Sequence, residues 1–452
     1  MKRSNIFFLM VMAAALFTGC SKYTDIKTEG ALTPGDYINF RYLMNNTDRL
    51  ERSVDMPDMT SDDIQYKDTG MQQSLSNEYR NAYMWAAQYY DALAPDQDWR
   101  VLYAANYSCN LVIRDVMSGN GGTAQLKNEV LAEARVHRAY NYFMLVNMYG
   151  KQYNESTQAA DLGVPLVLQP DVAEVAVRGT VKEAYDNILK DLQAAIPALP
   201  ESNTHNIYPS KAAAYAMLAK VYLQIGRYKD AASYADSALT LQHTLLNLPT
   251  LSSYPQRTDN PEIILSKIAG SSHAYSARQV LSDELLALYD PKDFRYSYFT
   301  QDYTQDGKVY RVYAKENVSG SNRNIGLSVP EMLLIKAECQ ARAGEAGNAM
   351  NTVNTLRAAR FSAADYTPLS ATSADDALVK VLQERRRELC FSCVRWLDQK
   401  RLFTDSRFAK NITRTNLLTG ETFTLSPGSN RYLFPIPQYN IQLNPSLVQN
   451  PR

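Results

Sequence analysis

The clearest pattern along the chain is helical, with small and aromatic residues recurring at fixed intervals. Between residues 211 and 241 the pattern consists of Ala219, Tyr222, Gly226, Tyr228, Ala231 and Ala238. Residues 331–360 repeat part of it at the same offsets, with Ala337, Gly344, Ala349 and Leu356. Such spacing is typical of a tetratricopeptide helix hairpin, in which small residues let two helices cross closely. Because each hairpin buries its face only against neighbours, the sequence predicts a curved all-α scaffold.

Helical periodicity also extends over earlier parts of the chain. It predicts a first helix within 34–54 and two longer helices over 98–117 and 123–149. The glycine cluster at 118–122 follows a helical pattern, so we expect a helix end and turn there. Residues 55–69 show little periodicity and are interpreted as a loop. The predicted helical-repeat units are therefore about 34–54, 98–241 and 328–402.

The remaining segments favour irregular structure. Residues 242–327 are rich in Ser, Tyr, Asp and Asn and too long for a simple connector, so they are predicted as a loop-rich insertion. Within them, Asp306-Gly307 is a hairpin-turn signal. Residues 403–452 are predicted to run extended, because proline removes a backbone donor and fixes φ. The expected fold is mainly α, with few short strands, in a single domain over 20–452.

The first twenty residues resemble a bacterial lipoprotein signal. Lys2 and Arg3 precede an apolar run over 6–17, which is shorter than the roughly 20 residues that a membrane-spanning helix needs. The run ends in a lipobox-like sequence whose Cys20 is the predicted site of lipidation after removal of 1–19. The alternative is an ordinary secretory signal with a coincidental cysteine. A lipidated Cys20 would tether the mature chain to a membrane.

Composition narrows the function. Lys+Arg and Asp+Glu both number 47, so the chain lacks the global basic field of a nucleic-acid-binding protein. Four His and five Cys show no metal-ligand spacing, and no cofactor motif is present. Cys390 and Cys393 form a lone C-x-x-C, which could be a redox pair or half a zinc site. With no second pair nearby, we interpret them as two half-buried helix positions.

Several separated segments carry a further signal when taken together, namely residues 133–143, 163–167, 330–338, 384–389, 395–401, 432–437 and 443–445. As a set they resemble the SusD/RagB family of outer-membrane lipoproteins of Bacteroidetes. The resemblance implies an α-rich fold of four tetratricopeptide-like units plus a variable region. It also implies a cell-surface lipoprotein, anchored in the outer membrane, that caps a SusC-like TonB-dependent transporter while holding a nutrient, most often a glycan.

A glycan site needs aromatic platforms and a few polar groups, and two loop-like regions offer that mixture. One spans residues 79–99 and the other spans 273–298. We predict that the ligand is bordered by Tyr83, Trp85, Tyr89, Tyr275 and Arg278. Alternatively, rings such as Tyr89 and Trp99 belong to the core, and Asp293 and Arg295 form an internal ion pair.

Two other classes of function stay open. A glycoside hydrolase needs two carboxylates roughly 5 to 9.5 Å apart, and no motif in the sequence nominates such a pair. We therefore expect no catalysis. A tetratricopeptide-type scaffold that binds only proteins, or a lipoprotein that imports peptides, would fit the same helical pattern. Either would lack saturable binding to an oligosaccharide.

Overall fold

The computed structural model describes residues 35–171, 175–269, 279–315 and 323–452. The predicted signal segment and Cys20 lie outside these residues, as do Tyr275 and Arg278. Across the described ranges, none of the helices combines the length and the apolar character that crossing a bilayer requires.

Helices dominate the described residues, which confirms the prediction of a mainly α fold. They are α1 (Tyr37–Met44), α2 (Thr47–Leu50), α3 (Met56–Thr60), α4 (Thr69–Gln73), α5 (Asn77–Tyr83), α6 (Gln97–Asp115), α7 (Ala124–Tyr149), α8 (Val181–Ala195), α9 (Lys211–Gln224), α10 (Tyr228–Leu241), α11 (Asp283–Leu286), α12 (Phe294–Phe299), α13 (Val329–Arg342), α14 (Ala346–Ala358), α15 (Ala374–Glu388), α16 (Val394–Leu402) and α17 (Gln438–Leu443).

Short strands form four two-stranded antiparallel sheets in the described residues. The pairs are β1 (Leu162–Pro165) with β2 (Arg178–Thr180), β3 (Ile263–Leu265) with β6 (Leu327–Ser328), β4 (Thr300–Gln305) with β5 (Lys308–Tyr313), and β7 (Ile412–Thr415) with β8 (Thr422–Leu425). Asp306 and Gly307 join β4 to β5 with φ of 51° and 74°, the left-handed conformation of a type I′ hairpin turn. The predicted hairpin is therefore confirmed.

The N-terminal core is built around α7. Every residue from 136 to 150 is buried, because α6 and α8 pack along this helix and the chain's C-terminal segment covers its end. Gly121 and Gly122 turn the chain between α6 and α7 with φ of 67° and 66°. The two long helices begin and end within about two residues of the predicted bounds.

The two repeat-like stretches fold as the helix hairpins α9–α10 and α13–α14, as predicted. Gly226 and Gly344 make the two turns with φ of 79° and 87°. Open space surrounds both glycines, so the left-handed backbone, rather than crowding, favours glycine there. The small residues at the crossing, Ala231 and Ala349, are both fully buried. Helix α13 also contacts α10, which stacks the second hairpin on the first.

The structure corrects two predictions near the N-terminus. The helix predicted over 34–54 is divided into α1 and α2 by Asn45 and Asn46, and the Asn46 side chain caps α2 by accepting from Arg49 N at 3.1 Å. The loop predicted over 55–69 contains α3, with Pro57 in its first turn. All five residues of α3 are buried. A helix enclosed on all sides shows no amphipathic periodicity, so the pattern could not reveal it.

A network of ion pairs occupies the C-terminal core. Arg295 is fully buried and donates to Asp293 at 2.7 Å and to Glu388 at 2.9 Å. Arg360 donates to Glu388 at 2.8 and 3.0 Å and to Glu262 at 2.7 Å. The charged face of α15 is therefore an internal ion-pair face, and Asp293 and Arg295 form the internal pair named as an alternative above.

Cys390 and Cys393 lie in the turn between α15 and α16 rather than within a helix, and both thiols are free and buried. Burial raises the pKa of Cys390 to about 12. Phe391 and Cys393 adopt φ of 55° and 60°. The prediction of half-buried helix positions is wrong in both respects, because the tight turn encloses the two thiols.

Candidate functional site

The two loop-like regions predicted to border a ligand meet at a surface cleft of about 240 Å³. The first region contributes Tyr83, and the second contributes Ser282, Asp283 and Glu284. The C-terminal segment supplies the remaining wall through β7 and the residues before it. The full lining consists of Asp62, Ile64, Gln65, Tyr83, Ser282, Asp283, Glu284, Lys410, Asn411, Ile412, Thr413 and Arg414.

Backbone pairing brings these distant segments together. Gln65 N donates to Val280 O at 3.1 Å, and Ser282 N donates to Asp63 O at 2.8 Å. Helix α11 begins directly after this bridge, where the Ser282 hydroxyl accepts from Leu285 N at 3.3 Å. The residues that follow α3 and those that precede α11 therefore form one continuous side of the cleft.

Arg414 fixes the other side. Its guanidinium group donates to the carbonyl oxygens of Met59, at 3.1 Å, of Tyr83, at 2.6 Å, and of Ser61. The same group lies 3.9 Å from the Tyr83 ring centre and 4.6 Å from that of Trp85. Burial lowers the pKa of Arg414. Because one buried cation contacts three carbonyl oxygens and two aromatic faces, it fixes the positions of α3, α5 and β7 relative to one another.

The predicted ligand residues occupy different places. Tyr83 lines the cleft, but its ring is sandwiched by protein and only 2% of the residue is exposed. Trp85 lies behind it at 3% exposure, with Nε1 donating to Thr60 O at 3.0 Å. Tyr89 is separate from both and packs on Phe434, with ring centres 5.2 Å apart. In this conformation the three rings contact protein, and their role in ligand binding stays a prediction.

Charged groups in the cleft neutralise one another. Asp62 accepts from Arg395 at 2.6 and 2.9 Å and from Lys410 at 3.0 Å, and Lys410 also contacts Glu284. Burial alone would raise the pKa of Asp62, but Arg395 and Arg386 outweigh it and hold that pKa well below its usual range. The wall is therefore densely polar without a strong excess of one sign, which suits a neutral ligand rich in hydroxyl groups.

The adjacent carboxylates do not form an obvious acid–base pair. Burial and the neighbouring Asp62 charge raise the pKa of Asp63 against the attraction of Arg386, which donates to Asp63 at 2.6 Å. Asp63 is not part of the cleft lining, and Asp62 is engaged by both nitrogens of Arg395. Both carboxylates thus serve structural ion pairs, and the geometry suits binding better than proton transfer.

The cleft is the first of three cavities in a row. A second cavity of about 230 Å³ shares Lys410 and Ile412 with it, and Phe403 and Phe408 lie in its wall. A third, of about 310 Å³, shares Phe403 and Tyr432 with the second. Within the described ranges, no group of three or more His, Cys, Asp or Glu side chains could hold a metal ion.

Sequence reasoning missed most of the cleft. Asp62 lies in a stretch interpreted as a loop, and Arg414 lies in a segment predicted only to run extended. Arg414 contacts Tyr83, which is 331 residues earlier in the chain. The clustering of Ser61, Asp62 and Asp63 was a usable signal, because adjacent acidic residues next to a buried helix require nearby cations.

Comparisons with known proteins agree with this architecture. A family model described as starch-binding and associating with the outer membrane matches residues 23–223, and a model of the SusD family matches residues 290–452. A curated relative, SusD-like protein P2 of Formosa agariphila, is 26% identical over an alignment 417 residues long, and the match covers 78% of this chain and 79% of the relative.

Solved structures share the fold. A SusD superfamily protein from Bacteroides thetaiotaomicron aligns with a TM-score of 0.75 at 22% identity, covering 92% of this chain and 100% of that one. A SusD-like carbohydrate binding protein from Bacteroides vulgatus aligns with a TM-score of 0.66 at 18% identity, covering 91% and 97% of the two chains. At these identities the likeness establishes the fold alone.

Proposed function

This chain belongs to the SusD family, and from that membership we propose that it binds an oligosaccharide at the outer membrane without catalysing a reaction on it. The observation that carries the proposal is the cleft in which Tyr83, Arg414 and the residues around α11 converge. Its walls offer amide, hydroxyl and paired charged groups, which match the many weak hydrogen bonds of a neutral sugar.

The row of three cavities favours an oligomeric ligand. Each cavity is smaller than or near the lower end of the 300–1,000 Å³ range of ordinary ligand pockets, so each suits a single ring. Neighbouring cavities share wall residues, as sugar subsites along a linear chain do. Phe403, which is half-buried between the second and third cavities, supplies the aromatic surface on which a sugar ring packs.

We further propose that the protein is anchored through a lipidated Cys20 and covers a TonB-dependent transporter of the SusC type. Family membership supports this role, since one matching model is described as associating with the outer membrane. A ligand that contacts both the cleft and the transporter would bind the closed complex more tightly than the open one. It would therefore shift the equilibrium toward the closed complex.

The binding proposal is tested by titrating purified protein with a panel of neutral oligosaccharides. Asn411→Ala and Thr413→Ala remove exposed polar groups from the cleft and should weaken binding severalfold without unfolding the chain. Asn351→Ala, on an exposed position of α14, is the matched control and should bind normally. Tyr275→Ala tests the second predicted region in the same assay. Unchanged affinity in all cleft variants would place the ligand elsewhere.

The assembly is tested by mild detergent extraction of the tagged lipoprotein. A stoichiometric β-barrel transporter should co-purify, and Cys20→Ser should release the protein from the membrane fraction. Co-purification without any saturable oligosaccharide binding would instead favour a scaffold or a peptide-binding lipoprotein. Sustained release of products from an oligosaccharide by the pure protein would contradict the non-catalytic role.

A further inference from the structure

A fourth cavity, separate from the row of three, lies between α2 and the first turns of α6. It encloses about 300 Å³ and is lined by Asn46, Asp48, Arg49, Arg52, Arg100, Val101 and Ala104. Three of these seven residues are arginines, all exposed, and Asp48 is the single carboxylate in the lining.

The three arginines differ from their neighbours Arg41 and Arg257 in forming no ion pair within the described ranges. Among the residues that the structure describes, none of Arg49, Arg52 and Arg100 forms an ion pair, and Arg100 donates instead to the Gln97 amide oxygen at 2.6 and 3.0 Å. By contrast, Arg41 on α1 contacts Glu133, and Arg257 contacts Glu51, which directly precedes Arg52.

Other described arginines, such as Arg135 and Arg178, also donate only to backbone carbonyls, and what distinguishes Arg49, Arg52 and Arg100 is that all three line one cavity. Three guanidinium groups around one cavity repel one another unless an anion lies between them. A guanidinium presents a planar fork of N–H donors that matches two oxygens of a phosphate, sulfate or carboxylate, and at Arg100 the anion would replace the Gln97 amide oxygen in that fork. An exposed position also lets the anion enter without the desolvation cost of a buried site.

We propose that this cavity binds a tetrahedral oxyanion of the phosphate-ester type, held by Arg49, Arg52 and Arg100. The oxyanion could belong to a soluble phosphate or to a lipid headgroup, since the recognition chemistry is the same. Asp48 opposes binding by its charge. The site is independent of the cleft and of the proposed oligosaccharide binding.

Titration with inorganic phosphate at low ionic strength, followed by the change in Tm and by calorimetry, tests the site. The native protein should bind saturably, and the Arg49→Gln/Arg52→Gln/Arg100→Gln variant should bind at least tenfold more weakly. Asp48→Asn should bind severalfold more tightly, because it removes the opposing charge. Arg114→Gln, at an exposed and ion-paired position of the same α6, is the matched control and should leave phosphate affinity unchanged.

A second arm identifies the source of the anion. The Cys20→Ser protein is mixed with vesicles of phosphatidylcholine, with or without phosphatidic acid, and sedimented. Binding to the phosphatidic acid vesicles that depends on the three arginines supports a lipid headgroup, and binding to free phosphate alone supports a soluble ligand. The proposal is overturned if the triple variant binds phosphate like the native protein, or if Arg114→Gln weakens binding as much as the triple variant does.

Discussion

The two helix hairpins share a pattern of small residues yet are stabilised differently. In α9–α10, twelve of the fourteen residues of α9 are buried, most of them apolar, and Tyr222 and Tyr234 stack with ring centres 5.4 Å apart. In α13–α14, the buried face includes Glu331 and Glu338, which contact arginines of α15 and α16. The small residues set how closely the helices cross, and the neighbours decide whether the surrounding core is apolar or charged.

The contrast follows from what each hairpin faces. The first packs against α8 and the second hairpin, so alanines and tyrosines can fill the space between helices. The second packs against α15, which ends in three arginines between Glu384 and Glu388. Arg385 of α15 lies 3.4 Å from Glu331, and Arg401 of the following helix α16 donates to Glu338 at 2.6 and 2.7 Å. Lys220 of the first hairpin also contacts Glu331, at 3.0 Å. That Lys220–Glu331 pair joins the apolar region to the charged one.

The largest expected effect comes from breaking the charged core. Glu388→Ala leaves Arg295 and Arg360, both fully buried, without their shared partner. Such a loss should lower the free energy of unfolding by about 3–5 kcal/mol, measured by urea denaturation. Asp230→Ala, which breaks the exposed pair with Arg227 in the first hairpin, is the control and should cost less than about 1 kcal/mol. Equal losses would show that the buried pairs contribute no more than exposed ones.

The second-largest effect is expected from acidification, which should lower the stability of the charged core. Burial raises the pKa of Glu388, but Arg360 and Arg295 outweigh it and lower that pKa to about 2 from its ordinary 4.5. Because the folded pKa lies below the unfolded one, the stabilisation is complete above pH 4.5 and is lost as the pH falls toward 2. The shift corresponds to about 3 kcal/mol.

Hydrogen exchange should show which helices lose stability at low pH. As the pH falls through this range, amides of α13 to α15 should lose protection before those of α9 and α10. Glu388→Gln cannot titrate at this position, so its stability should depend less on pH. A steeper pH dependence in Glu388→Gln would contradict the assignment.

The smallest expected effect should be equal in the two hairpins. Ala231→Leu and Ala349→Leu each add bulk at a fully buried crossing position. Overpacking should cost each variant about 1–3 kcal/mol by urea denaturation, because both crossings depend on a small side chain. Ser233→Leu, at an exposed position of α10, controls for leucine itself and should leave stability nearly unchanged. If one hairpin tolerates the larger residue, the shared pattern does not set the crossing in both.

The sequence revealed features that depend on nearby residues and missed those that depend on distant ones. The hairpins and the Asp306-Gly307 turn were predictable because their signals lie within a few residues of one another. Helix α3 and the Arg414 contacts were not, since α3 is buried on every side and Arg414 meets Tyr83 across 331 residues. The same limit applies to the aromatic residues predicted to contact ligand. A tyrosine hydroxyl can bond either to a ligand or to a residue distant in the chain, and the local sequence does not distinguish the two.

The C-terminal segment closes over the end of α7, and this has a consequence for the timing of folding relative to synthesis. Asn450 donates to Tyr149 O at 2.8 Å and to Phe434 O at 2.7 Å, while Phe434 N donates to Met148 O at 2.9 Å. Tyr149 and Asn450 are 301 residues apart. The end of α7 is therefore fully covered only once residue 450 has been synthesised, so the N-terminal core cannot complete its packing before that point of translation.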